Sequence, residues 1–549
     1  FFTNRIVVDM MVKMLDPDDK TLILDPSCGS AGFLITSMNY IFKKIDSSKR
    51  SDSAKEILKR NVVHQLYGLD ISPKLVKIAK ANMLIGKDGH GGIERANSLD
   101  SVSKLSASFI EKAGLEKPTM ILTNPPFGAG HDQRIKEPKI LSQYANGYTW
   151  STTSEGDIEF DDKLNSKQGL APEILFLEKC IRWLKPGGVL GIVIAKTQLD
   201  NLEALSIRKW ALENAQLLSV VNLHEDTFEP FCGSKAAVIF LRKYAKEEKP
   251  SEDYKVYMAI SNKVGQTSRG EPIFKRDSEG KPVIANGGYV IDQDLTTIAE
   301  DYSKFQNDTL EDSAFRFSVD ISSIKTDSYS FNPIQYLPKH NAAFEKVLKL
   351  GDSDDFEIHR LADLGLVFNG PRFKRPYAEV GVTEGASIRK YFTGTALTQL
   401  NSDNVKYLDE SLANKQTKGH LEKLTIYKGY ILISDSGTLG RVTYALKQHD
   451  KHIATNNLIR VVVDDLALRG YVYQFLKSEI GQSLMLRNAY GTNQEHLEPD
   501  VIGEIPVPVP KSRKALEQVG LQVIRSIDEL EASISDNNES LDSLLNMLG

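Results

Sequence analysis

Between about residues 20 and 242, short apolar runs alternate with segments of helical period, and this alternation restricts the possible folds more than any other feature. Thr21–Leu24, Gln65–Leu69, Met120–Thr123 and Val189–Ile194 are too short for buried helices and read as buried strands. Between them, Phe33, Leu34, Met38, Ile41, Phe42 and Ile45 fall on one helical face, as do Ile174, Leu177, Ile181 and Leu184. Strands and helices in turn predict an α/β fold, a Rossmann-like doubly wound sheet covered by helices.

The rest of the chain changes character. Residues 246–350 are more polar. Turn-rich Ser268–Pro272 and Asp277–Pro282 flank the short run Ile273–Phe274, which predicts a hairpin in an appendage and connector. Residues 351–510 mix short strands and helices as a separate α/β domain. Residues 511–549 carry Leu516, Val519, Val523, Ile527, Leu530, Ile534, Leu541, Leu544 and Leu548 at helical spacing, a long helix whose seam is interrupted by Asn537 and Asn538. The expected divisions are therefore 1–245, 246–350, 351–510 and 511–549, in keeping with 549 residues being too many for one core.

Composition narrows the class without naming it. With 41% hydrophobic and 26% charged residues the chain is globular rather than disordered. It has no run of membrane-spanning length and no signal peptide, so no membrane partner is expected. Cys28, Cys180 and Cys232 lack metal-ligand spacing, which suits a reducing cytoplasm and predicts no metal. A net charge of −5 does not advertise a nucleic-acid partner, although a basic face can sit on an acidic protein. Phe1 opens directly into a patterned segment, which reads as part of a longer protein.

Two loops in the first half look built for a ligand. Asp25-Pro26-Ser27-Cys28-Gly29-Ser30-Ala31-Gly32 joins a strand to a helix, and its glycines let backbone turn sharply and approach a ligand. It lacks the G-x-G-x-x-G of dinucleotide folds, and its leading acid suits a cationic centre. An ordinary tight turn is the plainer alternative. Asp70 ends the next strand, where an acid can accept ribose hydroxyls, and Ser72-Pro73 then cap a helix.

Thr123-Asn124-Pro125-Pro126-Phe127 is the most informative stretch. Two prolines stiffen the loop and fix its carbonyl directions. An amide-like or aromatic amino nitrogen is a poor nucleophile, because its lone pair is delocalised. Hydrogen bonds from its two N–H groups to Asn124 Oδ1 and the Pro125 carbonyl would localise that pair for in-line attack on a methyl sulfonium. Phe127 offers a flat apolar face. A structural turn is the alternative, yet such a tetrad arises by chance only about once in several hundred chains of this length.

These stretches together resemble the N6-adenine DNA methyltransferases of type I modification subunits. Phe1-Phe2-Thr3-Asn4-Arg5 resembles their motif X, Asp25–Gly32 motif I, Asp70 with Ile71 motif II, Ala96-Asn97-Ser98-Leu99 motif III, and Asn124–Phe127 motif IV. Lys185–Gly188 and Gly233–Ala237 match later motifs. Asn97 stands where an aspartate is common, and Ala31 where a glycine is frequent. The resemblance implies S-adenosyl-L-methionine as cofactor, held by Phe2, Thr3, Asp25, Pro26, Ser27, Gly29, Gly32, Asp70, Ile71, Asn97 and Ser98. It implies catalysis by Asn124, Pro125, Pro126 and Phe127, with Phe127 stacked on an adenine flipped from double-stranded DNA.

Tyr430–Gly440, Ala454–Arg460, Tyr473–Leu497 and Ile505–Pro510, in that order, resemble a target-recognition domain of type I specificity subunits. The basic loop with Arg372, Lys374 and Arg375 suits phosphate contacts, although a solvated cluster is the bland alternative. The polar loop with Ser434, Ser436, Thr438 and Arg441, and Asn493 beyond it, are the other expected DNA contacts. The final helix resembles a spacer that can pair two chains as a homodimer or engage specificity or restriction subunits. Two other functions stay open: a protein glutamine N5-methyltransferase, and a non-catalytic sequence-specific DNA-binding subunit.

Overall fold

The computed structural model describes residues 3–86, 92–127, 133–153, 157–285, 287–326, 329–383, 385–399, 405–487 and 497–548, the last of these as backbone alone from 536. The chain divides into two compact units, residues 1–334 and 335–549.

The first unit is built on one nine-stranded sheet. Its strands are β1 (Ile23–Asp25), β2 (Leu66–Asp70), β3 (Ile93–Arg95), β4 (Met120–Thr123), β5 (Val189–Ala195), β6 (Ala215–Asn222), β7 (Ala236–Lys243), β8 (Lys255–Ile260) and β9 (Arg316–Asp320), in the order β9-β8-β6-β7-β5-β4-β1-β2-β3. All neighbours run parallel except at β7, antiparallel to both β5 and β6, and at β9, antiparallel to β8. Within residues 246–350, expected as an appendage and connector, Lys255–Ile260 and Arg316–Asp320 supply two strands of this same sheet. Their apolar run Val256–Ala259 is fully buried, which a connector would not require.

Side chains alternate across the sheet. Val189 and Val193 face a core shared with α1 (Arg5–Leu15), α2 (Gly32–Ser47) and α5 (Leu295–Gln306). Ile194 and Ile239 meet Ile174 and Leu177 of α4 (Pro172–Trp183). Between β2 and β3 runs α3 (Pro73–Ile85), which starts as its sequence predicts: Ser72 Oγ caps the Leu75 amide and Pro73 occupies the first turn. The segment around Ile273–Phe274 forms two tight antiparallel hairpins, pairing Gln266 with Pro272 and Arg276 with Pro282, where one was expected.

From β1 the chain runs outward through β2 and β3, then returns to β4 on the other side of β1. Loops leaving the carboxyl ends of β1 and β4 therefore diverge, the place where open α/β sheets bind their ligands. This topological switch point positions the site.

The second unit holds two four-stranded sheets. One orders Leu366–Asn369, Leu458–Val462, Ile431–Ser434 and Val442–Tyr444; the other orders Lys406–Asp409, Ile388–Phe392, His452–Ala454 and Thr425–Ile426. Phe356–Arg360 pairs separately with Pro506–Pro510. Buried Arg460 ties the sheets together: Nη1 donates to the Leu458 carbonyl, and Nη2 reaches the carbonyls of Ala454, Thr455 and Leu424. Two helices, α6 (Leu466–Lys477) and α7 (Arg513–Leu548), cross where Gly470 meets Gly520. A Cβ on Gly520 would lie 1.8 Å from the Ala467 carbonyl oxygen, so only glycine permits that approach. Ile524 and Ile527 of α7 pack into this unit's own core, and the helix backbone runs through Asn537 and Asn538 without a break.

Candidate active site

The β1 loop is shaped by its leading acid. Asp25, 1% exposed, accepts from the Ser27 amide (3.0 Å) and the Thr123 hydroxyl (2.8 Å). The second bond fastens the loop after β1 to the strand carrying Asn124. Burial pushes the Asp25 carboxyl up to about 7, and the Asp70 charge adds to this, against the two hydrogen bonds that pull it down. Gly29 takes a φ of +52°, which suits glycine, whereas Ala31 holds a φ of +68° where a side chain is strained. Space lies open beside Gly29 and Gly32, since a Cβ on either would meet no atom within 4 Å.

Asp70, at the end of β2, faces the same loop. Its Oδ2 accepts from the Gly29 amide at 3.1 Å and its Oδ1 from the Ser72 amide at 2.8 Å. Beside it Ile71 is 63% exposed, an apolar side chain offered outward at the end of β2. Ser98 donates its hydroxyl to the Pro26 carbonyl, and Asn97 Oδ1 accepts from the Leu99 amide, so the loop after β3 closes against the first. The structure thus brings Asp25, Pro26, Ser27, Gly29, Gly32, Asp70, Ile71, Asn97 and Ser98 to one end of three adjacent strands.

Across the switch point, Asn124 leaves β4. Its Nδ2 donates to Thr3 Oγ1 at 2.9 Å. Its Oδ1 is buried, and no donor among the described residues reaches it. A buried acceptor without a partner costs stability, and here it stands on a rigid loop at a strand end, where a ligand can supply the donor. Pro125 is buried and Pro126 exposed. Phe127 is half-buried and meets Phe228 edge to face, ring centroids 6.1 Å apart at 89°. The Phe228 turn is held further by Lys235, which pairs with Glu225 at 3.2 Å.

Thr123, Phe228 and Gln266 escaped the sequence reading as parts of this site. Thr123 opens the Thr123–Phe127 stretch, but its ordinary strand side chain suggested no role of its own. Phe228 and Gln266 carry no motif, and only the fold brings them near. Phe2 lies outside the described residues.

In the second unit, Arg372, Lys374 and Arg375 are exposed on the loop after Leu366–Asn369. The Arg375 guanidinium lies over Phe373 and Tyr391, at 5.8 and 5.5 Å, and its Nε donates to the Tyr391 hydroxyl. Ser436 and Thr438 sit in the turn after Ile431–Ser434, where Asn457 Nδ2 donates to Ser436 and Arg441 Nη2 to Thr438. Ser434 is buried, and its backbone closes the turn through Arg441 and Gly440. Asn493 lies outside the described residues. Asn369 and Ile433 both pair with Ile459 from opposite sides. The basic loop and the polar turn therefore leave the same end of one sheet, two strands apart, about 10 Å.

Among the described residues no group of His, Cys, Asp and Glu is placed to hold a metal ion. Among them, too, no helix is long and apolar enough to cross a membrane.

The N-6 DNA Methylase family model matches residues 1–343, well over half of the chain. The chain belongs to this family. The model for the Type I restriction modification DNA specificity domain matches residues 353–539. The type II restriction enzyme and methyltransferase RM.BcgI of Heyndrickxia coagulans is 26% identical over 240 residues, 43% of this chain and 30% of that protein. The EcoKI methylase subunit of the type I restriction enzyme of Escherichia coli K12 is 24% identical over 250 residues, 44% of this chain and 40% of the relative. The chain thus spans well under half the length of these curated relatives. The crystal structure of the type IIG restriction endonuclease BpuSI aligns over 96% of this chain and 60% of its own, at 13% identity and a TM-score of 0.41.

Proposed function

We propose that this chain is a site-specific DNA methyltransferase that moves a methyl group from S-adenosyl-L-methionine to the N6 amino group of adenine, within a restriction-modification or related phage-defence system. The observation that carries this reading is the buried Oδ1 of Asn124, without a donor among the described residues, at the switch point of the sheet. An exocyclic amine fills that vacancy, with its second N–H directed to the Pro125 carbonyl. Holding both hydrogens localises the nitrogen lone pair and aims it. Phe127 stacks on the base, braced by Phe228.

The residues present fit the cofactor. Asp70 offers carboxylate oxygens to a ribose, Ile71 an apolar face to an adenine ring, and the open side of Gly29 and Gly32 leaves room for the remainder. When bound, the cofactor supplies a methyl carbon activated by its sulfonium. We assign residues 1–245 to this chemistry, 246–350 to its support, 351–510 to recognition and 511–549 to a spacer. Arg372, Lys374 and Arg375 would contact phosphates, and Ser436, Thr438 and Arg441 the grooves, with the Ser434 backbone shaping the turn. Two chains joined through the final helix, or specificity or restriction subunits docked there, would complete the assembly in a reducing cytoplasm. Three free cysteines suit that compartment.

The deciding experiment incubates the complete protein and Asn124→Ala with labelled cofactor and bacterial genomic DNA, followed by modified-base sequencing. N6-methyladenine in a defined motif, lost in the variant while DNA binding survives, supports the reading. Unlabelled DNA beside a methylated protein substrate would sink it.

A further inference from the structure

We infer that Gln266 is a positioning residue for methyl transfer: one amide that ties the segment hydrogen-bonded to Asn124 to the turn bracing Phe127. The inference rests on the proposed methyltransfer reading for its functional consequence and on hydrogen-bond geometry for the tie itself.

Each donor and acceptor in the chain of bonds has only one consistent assignment. Asn4 caps α1, its Oδ1 accepting from the Ile6 amide at 3.0 Å, so its Nδ2 must point the other way. That Nδ2 donates to Gln266 Oε1 at 3.3 Å. The Gln266 amide is thereby oriented too, and its Nε2 donates to two carbonyl oxygens, Asp226 and Glu229, at 2.8 Å each. Asp226 and Glu229 flank Phe228, which meets Phe127 edge to face. Asn4 adjoins Thr3, which receives the Asn124 amide. Gln266 lies 262 residues from Asn4 in the chain and joins the two segments that meet the catalytic corner.

No other residue type does this. A carboxylate of the same shape still accepts from Asn4 but confronts two carbonyl oxygens with a negative charge and no proton. A methionine of similar length keeps the packing and loses every bond. Gln266→Glu therefore separates donation from shape, and protonation of the new carboxyl restores one donor.

Three versions of the complete protein test this: wild type, Gln266→Glu and Gln266→Met, on duplex DNA carrying the motif that base sequencing yields. Misplacing a reacting group slightly costs rate, so we expect kcat to fall about ten- to a hundredfold in both variants with the KM for DNA little changed. Gln266→Glu should regain activity relative to wild type as pH is lowered, and Gln266→Met should not. Amide hydrogen exchange reads the tie without catalysis: both variants should exchange faster in residues 4–8 and 225–232 together. Unchanged exchange in either segment, or a Gln266→Glu protein as active as wild type at alkaline pH, overturns the inference. Wild type that methylates no DNA would overturn the enzymatic reading instead, and the exchange experiment would still decide the tie.

Discussion

Asn124 and Thr3, 121 residues apart, are joined by a 2.9 Å hydrogen bond from the asparagine Nδ2 to the threonine hydroxyl oxygen. Oxygen and nitrogen ends of an amide have nearly the same shape, so packing alone does not choose between them. With the Thr3 hydroxyl oxygen accepting from Nδ2, Oδ1 is the end of the amide left without a donor among the described residues.

Thr3→Val removes the acceptor at constant shape. The Asn124 amide then loses the partner that holds its nitrogen end, and methyl transfer should fall about tenfold, less than in Asn124→Ala, where about a hundredfold loss is expected. Thr3→Ser should keep near wild-type kcat. Steady-state kinetics on DNA of known motif checks the series. A Thr3→Val enzyme with wild-type kcat would show that the amide is oriented by something else.

Asp25 gives a pH signature. Its folded-state carboxyl titrates at about 7, raised chiefly by burial. Between the ordinary carboxylate range and about 7, the folded protein keeps a proton that the unfolded chain has released. Stability from this group therefore falls as pH rises through that window and levels off above it. Asp25→Asn cannot titrate, so the wild-type protein should lose stability relative to the variant over that interval. Urea midpoints for both proteins across about pH 4 to 8 make the comparison. Parallel curves would contradict the burial of an ionisable Asp25.

Much of this site could be read from the sequence because its parts are local. Asp25, Asp70 and Asn124 each follow an apolar run, and a strand end is where an α/β sheet presents functional groups. Ser72 and Pro73 start their helix by rules acting within four residues. What escaped notice depends on pairing between distant segments. Nothing in Lys255–Ile260 or Arg316–Asp320 says which sheet they join, so the stretch read as a connector turned out to extend the main one. Phe228 and Gln266 likewise acquire their roles only when the turn after β6 and the arm beyond β8 meet beside α1. The recognition loops show the reverse case. Ser434 looked like its neighbours in a polar loop, but it closes the last pair of a buried strand and its side chain faces inward.

Arg460 should dominate the stability of the second unit. Its guanidinium is buried and satisfies carbonyls from both four-stranded sheets, and burial lowers its pKa to about 10, still charged at neutral pH. Arg460→Met strands those carbonyls in a dry interior and should cost about 2–4 kcal/mol. Arg460→Lys should rescue little, because one ammonium cannot fork toward acceptors on two sheets. Calorimetry reads both, and equal melting of wild type and Arg460→Met would refute the tie.

The basic loop makes the last prediction, in salt dependence. Arg372 and Lys374 are exposed, whereas Arg375 is anchored by its hydrogen bond to Tyr391 and its position over Phe373. Side chains that only neutralise phosphates release counterions, each contributing about 0.9 to the slope of log affinity against log salt. Replacing both Arg372 and Lys374 by alanine should lower that slope by about 2 and weaken binding evenly across sequences. Arg375→Ala should also loosen the loop, because it removes packing on two aromatic rings, and so alter which sequences are preferred. Fluorescence anisotropy with specific and random duplexes at several salt concentrations separates these effects. A double variant with the wild-type slope would move the phosphate contacts to another face of the unit.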